Sequence, residues 1–251
     1  MKINIARDLR KYLPFLLKAQ EDKLTEADTA QRIIEVFKNV LGYDTMTEIS
    51  CEMELRSKYA DIAIKIDSVV KLFVEVKAAG TVLRERHVDQ GEMYAAKGNV
   101  QWVVLTNGIA WNLYHFTFGD DEGIEYEQVF AVTLSTESLT KDAEMLGILH
   151  RTAVKTGEHE KFWEQVSALS PASIGRALFR EDVMRFLRRI IRHKEGTLID
   201  IEDLAAAIHS LFTPEVKEQI GPPKIRMRKA KKADISVPSP DTKEPLITGE
   251  L

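Results

Sequence analysis

The sequence predicts an α/β fold: a central mixed sheet flanked by helices, then a small all-helical module and a basic tail. Residues 59–77 have the pattern of a β-hairpin whose second strand is apolar and β-branched. Helical and strand-like segments alternate up to about residue 150. Strand-like segments cease after Gly157, where only helical patterns follow. We therefore predict an α/β domain over residues 1–150.

Two helices are predicted before the sheet. Residues 4–19 suggest the first, with Pro14 marking a break or kink because proline removes a helical hydrogen bond. Residues 26–41 form the second, and its apolar positions recur at helical spacing. We expect these positions to face the sheet: Ile33, Ile34, Phe37 and Leu41.

The hairpin brings two carboxylates together. Residues 60–66 alternate with the period of a half-buried strand, and Asp67-Ser68 supplies a turn. A hairpin centred near Ser68 pairs positions whose numbers sum to about 136, so Asp61 lies opposite Glu75. Opposed side chains in an antiparallel pair have Cβ atoms about 4.5–5.5 Å apart.

Lys77 lies on the same strand face as Glu75 because side chains alternate along a strand. Two facing carboxylates repel unless a cation or a shared proton lies between them, and a hard divalent ion suits oxygen ligands. The alternative is the solvated face of an amphipathic hairpin. The apolar run Leu72–Gly80 favours a central strand instead, where charges need a reason.

Further alternating elements complete the α/β domain. We predict a hairpin over 48–78, a helix near 84–97, strands near 100–106, 109–116 and 128–134, and a closing helix over 139–150. Asn107-Gly108 has the composition of a favoured two-residue hairpin turn.

The remainder of the chain is predicted to be a helical module, residues 157–212, and a flexible basic tail, residues 213–251. The module's helices are Glu160–Leu169, Ile174–Phe179, Arg180–Arg192 and Ile201–Phe212, the last capped by Asp200. Basic residues crowd the end of the third: Arg185, Arg188, Arg189, Arg192, His193 and Lys194. They either complement the helix carboxyl terminus or bind DNA phosphates. The tail segment Lys224–Lys232 could bind phosphates without sequence preference.

Composition indicates a globular protein of a reducing compartment. The 251 residues are 44% apolar, and the single cysteine, Cys51, allows no internal disulfide. No signal-like start or long apolar run occurs, so we expect a cytoplasmic protein without membrane contact. The formal charge of −4 means that DNA binding must come from local basic clusters, including Arg84 and Arg86.

The ordered motifs resemble those of the PD-(D/E)xK nuclease superfamily, and within it the amino-terminal nuclease domain of type I restriction endonuclease motor subunits. The resemblance covers most of residues 20–135. Its core motif matches Asp61 and Glu75-Val-Lys77, its Gln-x-x-x-Tyr helix matches Gln90 and Tyr94, and its upstream helical acid matches Glu26. The proline of the family name is absent, since Ala60 precedes Asp61.

The resemblance implies a restriction-endonuclease-like sheet and a role for each matched residue. Asp61 and Glu75 would hold Mg²⁺, or Mn²⁺, and Lys77 would orient water or neutralise charge at the phosphorus. Glu26 would hold a second ion or a metal-bound water, or is simply an acid favoured at a helix amino terminus. Gln90 and Tyr94 would face the site, or belong to a polar solvent face.

We therefore expect a metal-dependent endonuclease that hydrolyses DNA in restriction or host defence. The alternatives are a nuclease-like accessory module that binds DNA and cuts little or not at all, and a nuclease that acts on RNA. No Gly-x-x-x-x-Gly-Lys occurs, so no ATP-driven motor is expected. Expected partners are DNA and, as possibilities, restriction-modification subunits, a helicase or a second copy. No Gly-x-Ser-x-Gly, dinucleotide fingerprint or histidine pair with metal-ligand spacing is present.

Overall fold

The computed structural model describes residues 5–54, 59–119 and 123–223, apart from the side chain of Tyr59. Contacts divide the chain into two compact units, Met1–Ser170 and Pro171–Leu251. The first contains the sheet, and the second is helical where it is described. Within the described residues, no helix is long and apolar enough to cross a membrane.

Six strands form one mixed sheet. In chain order they are Ile49–Glu54 (β1), Tyr59–Ile66 (β2), Val69–Val76 (β3), Trp102–Thr106 (β4), Ala110–Phe118 (β5) and Ile124–Thr133 (β6). Their order in the sheet follows the chain, and only β3 and β4 pair in parallel. The predicted mixed sheet is confirmed, with β3 as an interior strand.

Helices cover both faces of this sheet. Those of the first unit are Ile5–Glu21 (α1), Glu26–Asn39 (α2), Val88–Gly98 (α3), Leu139–Leu146 (α4), Arg151–Thr156 (α5) and Glu158–Ala168 (α6), with 3₁₀ turns at Glu85–His87 and Gly147–Leu149. The larger core lies under α1, α2 and α4, and the smaller core lies under α3.

The strand expected to be half-buried at residues 60–66 is also buried on its second face at Ala63, between the half-buried Asp61 and Lys65. Ile62 and Ile64 belong to the larger core, whereas Ala63 belongs to the smaller core with Phe73 of β3. Alternation placed Ile62, Ile64 and Ile66 on one face as observed, but Ala60, which it placed with them, belongs to the smaller core. Alternation did not reveal that α3 covers the second face, because Ala63 is small enough to occur on an exposed face as well.

The β2–β3 hairpin contains one irregularity. Near the turn, Lys65 pairs with Val70, whereas farther along Ile64 pairs with Leu72. Lys71 is therefore passed over on β3, as in a β-bulge. Beyond it, paired positions sum to 136, which is the register the sequence predicted.

Two local predictions need correction. Of the break or kink predicted at Pro14, the break is absent, because α1 continues through that residue and buries Leu9, Leu13 and Leu16 in the larger core. The kink stays a prediction. Asn107-Gly108 does not form the β4–β5 turn. Asn107 pairs with Ala110, so the loop residues are Gly108 and Ile109, and Gly108 at φ 91° has the positive value that a type II′ turn needs first.

The side chain of Asn107 explains that shift. Its Oδ1 accepts hydrogen bonds from the Ile109 and Ala110 N–H groups at 3.0 and 2.7 Å. Its Nδ2 donates to the Thr81 carbonyl at 2.7 Å. Asn107 therefore lies at the end of β4 and also holds the loop that follows β3 in place.

Helix α6, expected to open the helical module, lies in the first unit. Trp163 stacks on His115 at a centroid distance of 3.7 Å and meets Trp102 edge-on. His159 packs on Trp102 as well, at 4.9 Å. Contacts therefore divide the chain after Ser170 rather than near Gly157.

The second unit has its own small core. Its helices are Pro171–Leu178 (α7), Glu181–Glu195 (α8), Ile201–Ser210 (α9) and Pro214–Ile220 (α10). Met184, Ile201, Leu204 and Ala205 are buried together. The tail predicted from residue 213 begins with helix α10 instead, because Thr213 and Pro214 suit a helix start. The basic segment Lys224–Lys232 lies outside the described residues.

Candidate active site

Asp61 and Glu75 meet at the interior of the sheet. Continuing the pairing of Ile62 with Val74 by one residue places Asp61 opposite Glu75. Asp61 Oδ2 accepts a hydrogen bond from the Val76 N–H at 2.7 Å, which ties the carboxylate to β3. Asp61 is half-buried and Glu75 is fully buried. The predicted opposition of the two carboxylates is present.

Glu75 is held on one side only. Its Oε1 accepts a hydrogen bond from the Lys77 ammonium, while Oε2 is buried and has no partner among the described residues. Burial, and next the Asp61 charge, raise the pKa of Glu75 to about 7, although the Lys77 hydrogen bond opposes them. Burial likewise raises the pKa of Asp61, opposed by the Val76 N–H.

Lys77 connects the strand to α3. Its ammonium donates to Gln90 Oε1 at 3.1 Å, and Gln90 Nε2 donates to the Tyr94 hydroxyl at 2.8 Å. Burial raises the pKa of Tyr94 to about 12, so the hydroxyl stays protonated. Tyr94 also meets Phe73 edge-on at 6.4 Å. Tyr94 is therefore buried beside the carboxylates, whereas Gln90 is exposed and reaches the site through its contact with Lys77.

Helix α3 lies unusually close to the sheet at Gly91. A Cβ atom there would lie 2.9 Å from Val103 Cγ1 of β4, nearer than real Cβ contacts. The missing side chain lets the helix approach the strand, and Gln90 is the adjacent residue. Close packing at Gly91 thus fixes the distance of the helix from the sheet, and with it the position of Gln90 relative to Lys77.

Glu26 is the first residue of α2 and lies at the edge of the site, beside Asp61. Thr25 caps that helix, with its Oγ1 accepting from the Asp28 N–H at 3.2 Å. Burial is the main cause of the raised pKa at Asp61 and Glu75, and the Glu26 charge contributes to both. A groove of about 460 Å³ is lined by Glu26 and Asp61.

Sequence analysis missed two residues of this neighbourhood. Glu52 lines the same groove, and its charge raises the pKa of Asp61 after burial and Glu26. Its φ of 49° is a left-handed value that no sequence pattern announced. Thr29 Oγ1 accepts from the Ala79 N–H at 3.1 Å, which joins α2 to the chain just beyond Lys77. Both interactions depend on tertiary placement.

The donor set fits a small oxygen-binding cation. Among the described residues, no group of three or more His, Cys, Asp and Glu side chains is arranged to hold a metal. Magnesium needs fewer protein ligands, since it keeps waters and uses one or two carboxylates with substrate phosphate. Asp61 and the unpartnered Glu75 Oε2 supply such a pair.

Comparison with known proteins gives one family. Residues 25–129 match the family described as "Type I restriction enzyme R protein N terminus". These residues form a restriction-nuclease-like domain. No curated protein matches the chain. Among solved structures, the type IIG restriction endonuclease BpuSI is similar at 18% identity and a TM-score of 0.30, over 68% of this chain and 21% of that enzyme's chain.

The restriction-nuclease-like domain contains all six residues predicted for the site, and the five from the sheet and α3 are brought together by the contacts above. Arg84 and Arg86 are exposed before α3. Arg188, Arg189 and Arg192 lie in α8 of the second unit, where Arg189 and Arg192 are exposed. DNA binding by these arginines stays a prediction.

Proposed function

We propose that this chain is an endonuclease that hydrolyses DNA phosphodiester bonds with bound Mg²⁺ or Mn²⁺. The observation that supports it best is the pairing of Asp61 with Glu75 beside Lys77, on an interior strand where charges are costly. The family match over residues 25–129 supports a restriction-type substrate. Restriction-modification subunits, a helicase and a second copy of the chain stay predicted partners.

The carboxylates would hold the cation between them. Asp61 is fixed by the Val76 N–H, and Glu75 Oε2 is buried without a partner, so both are placed before a cation arrives. Glu26 would bind a second ion or a water at the edge of the same groove. When bound, the cation supplies charge stabilisation at the phosphate and lowers the pKa of the attacking water.

Lys77 would act on the substrate itself. An ammonium has three N–H groups, and Glu75 and Gln90 accept two of them. The third can donate to a phosphate oxygen or to the attacking water, where negative charge develops. Gln90 would act as a positioning residue through Lys77. Tyr94 would act through Gln90 and through Glu75, whose charge contributes, after burial, to the raised pKa of Tyr94.

A plasmid cleavage assay tests the proposal. Supercoiled DNA is incubated with wild type in Mg²⁺, in Mn²⁺ and in chelator, and with Asp61→Asn and Glu75→Gln. We expect nicking or linearisation by wild type with either metal, and none in chelator or with either variant. Glu125→Gln, the same change on the exposed β6 position, should cleave like wild type.

Three outcomes contradict the proposal. Metal-independent cleavage, or cleavage that survives both site variants, would assign the activity elsewhere. Absence of DNA cleavage with both metals would favour the accessory module if DNA still binds. Single-stranded RNA in a parallel reaction identifies a nuclease of the other substrate class.

A further inference from the structure

A second polar pocket lies on the far side of α3 from Lys77. Its volume is about 360 Å³, within the range of small-molecule sites. The 3₁₀ turn before α3 forms one wall, and strands β5 and β6 form the floor. The side chains that define its chemistry are Arg84, Glu85, Asn112, Tyr114, Tyr126 and Gln128.

The pocket shares a sheet face with the candidate active site. Glu75 pairs with Leu105, and Leu105 pairs with Asn112, so the three lie in one row across β3, β4 and β5. Side chains of directly paired residues point to the same face. Neighbouring strands are about 4.8 Å apart, which puts Asn112 roughly 10 Å from Glu75. One nucleotide can span such a distance.

The floor of the pocket presents aromatic rings and amides together. Tyr114 and Tyr126 meet edge-on at a centroid distance of 5.9 Å. Asn112 and Gln128 each donate a long hydrogen bond to the Tyr114 hydroxyl, at 3.4 and 3.3 Å. Their amide oxygens have no partner among the described residues. The pocket thus offers a stacking surface beside groups that both donate and accept.

This chemistry suits a nucleobase better than a phosphate. Glu85 accepts from the Tyr126 hydroxyl at 3.4 Å and places a carboxylate in the pocket, which disfavours an anion. A base is uncharged, stacks on aromatic rings and offers edge groups that pair with amides and carboxylates. Arg84, exposed at the rim, can meet the phosphate attached to that base.

We propose that this pocket binds one unstacked nucleobase of the DNA strand that occupies the active site, an inference that rests on the proposed nuclease function. A base in a pocket must leave the helical stack, so single-stranded DNA should bind without that cost, and a duplex would have to extrude the base. Tyr126 supplies the stacking face, and Asn112 and Gln128 contact the base edge.

An abasic comparison isolates the base from the backbone. Affinity of the full chain for a fluorescent single-stranded oligonucleotide is measured in chelator, beside a strand of equal length in which every base is absent. The two strands carry the same phosphates. We expect Tyr126→Ala to weaken binding of the normal strand by roughly 5- to 150-fold and to leave the abasic strand unchanged.

Gln128→Ala provides a variant that disturbs no packing, because Gln128 is exposed. It should weaken the normal strand alone, though less than Tyr126→Ala. Gln165→Ala makes the same change on an exposed face of α6 and should alter neither affinity. Deoxyadenosine monophosphate should compete with the normal strand if the pocket accepts a base from a free nucleotide, and should not if the strand must present it.

The outcomes separate this inference from the nuclease proposal. Equal affinity for normal and abasic strands, or equal losses on both in Tyr126→Ala and Gln128→Ala, overturns the base pocket while leaving metal-dependent cleavage intact. Loss of cleavage in Asp61→Asn with the base preference retained supports both. If neither strand binds, the base pocket is overturned, and plasmid cleavage then decides the nuclease proposal separately.

Discussion

The Lys77 ammonium is held between two elements that are distant in the chain: it donates to Glu75 within its own strand and to Gln90 Oε1 on α3, at 3.1 Å. The strand contact ties the ammonium to the Glu75 carboxyl group, and the helix contact fixes its direction. Because these two roles belong to different residues, they can be removed one at a time.

Loss of the ammonium should remove the chemistry. Lys77→Met keeps the aliphatic stem but no charge, so we expect single-turnover cleavage to fall at least about 100-fold. DNA affinity in chelator should stay within about two-fold, since the group acts on the transition state. Affinity lost in proportion to rate would show instead that Lys77 is a ground-state phosphate contact.

Loss of the helix contact should misdirect the ammonium without discharging it. Gln90→Ala should lower the single-turnover rate by about 10- to 100-fold, because small misplacements are costly in catalysis. Gln90→Glu retains an acceptor for Lys77 and should recover part of that rate. The matched change Gln165→Ala on α6 should have no effect. Equal rates in all three variants would remove the positioning role.

The pKa of Glu75 predicts a pH-dependent stability in the metal-free protein. An unfolded glutamate loses its proton near pH 4.5, whereas folded Glu75 keeps it until about pH 7. Between these values the folded state binds more protons, so the free energy of unfolding should fall as pH rises, by up to about 3 kcal/mol.

Thermal unfolding in chelator from pH 4.5 to pH 7.5 measures this fall. Glu75→Gln should flatten it, and Glu125→Gln should not. Millimolar Mg²⁺ should raise the melting temperature mainly above pH 7, where both carboxylates are charged and bind the cation in the folded state alone. A stability that rises through this window in wild type and is unaltered in Glu75→Gln would contradict the pKa of Glu75.

The close approach of α3 to β4 predicts that a substitution at Gly91, which takes no part in the chemistry, lowers both stability and cleavage rate. Gly91→Ala should force the helix from Val103, with a loss of about 1–3 kcal/mol in the free energy of unfolding and a lower cleavage rate. Val103→Ala should restore part of both in the double variant. Additive losses would mean that the two residues are not coupled.

Much of this site was accessible from the sequence because its determinants are local. Alternation placed Asp61, Glu75 and Lys77 by counting, and helical spacing placed Gln90 and Tyr94 on one face. The left-handed Glu52 and the link from Thr29 to Ala79 were not accessible, because each depends on a neighbour distant in the chain.

The fold likewise combines features that follow from local sequence with features that depend on distant contacts. Helix α6 has a polar, helical pattern that suits a separate module, but its ring contacts with β4 and β5, through Trp163 and His159, assign it to the first unit. Asn107-Gly108 has the composition of a turn, yet the side chain of Asn107 accepts hydrogen bonds from the Ile109 and Ala110 N–H groups and moves the loop by one residue. The sequence pattern identified the helix and the turn correctly, but it assigned the helix to the wrong unit and placed the turn one residue too early.

The bulge at Lys71 makes chain length part of the catalytic motif. In a regular hairpin with Ile66 paired to Val69, partners always differ by an odd number, whereas 61 and 75 differ by an even number. If the same number of residues paired without the bulge, Asp61 would fall opposite Val74 and leave the face of Glu75. Spacing and bulge are therefore coupled: a relative with one residue fewer between its two acids would keep them opposed in a regular hairpin, and a motif search that fixes the spacing would reject an intact site.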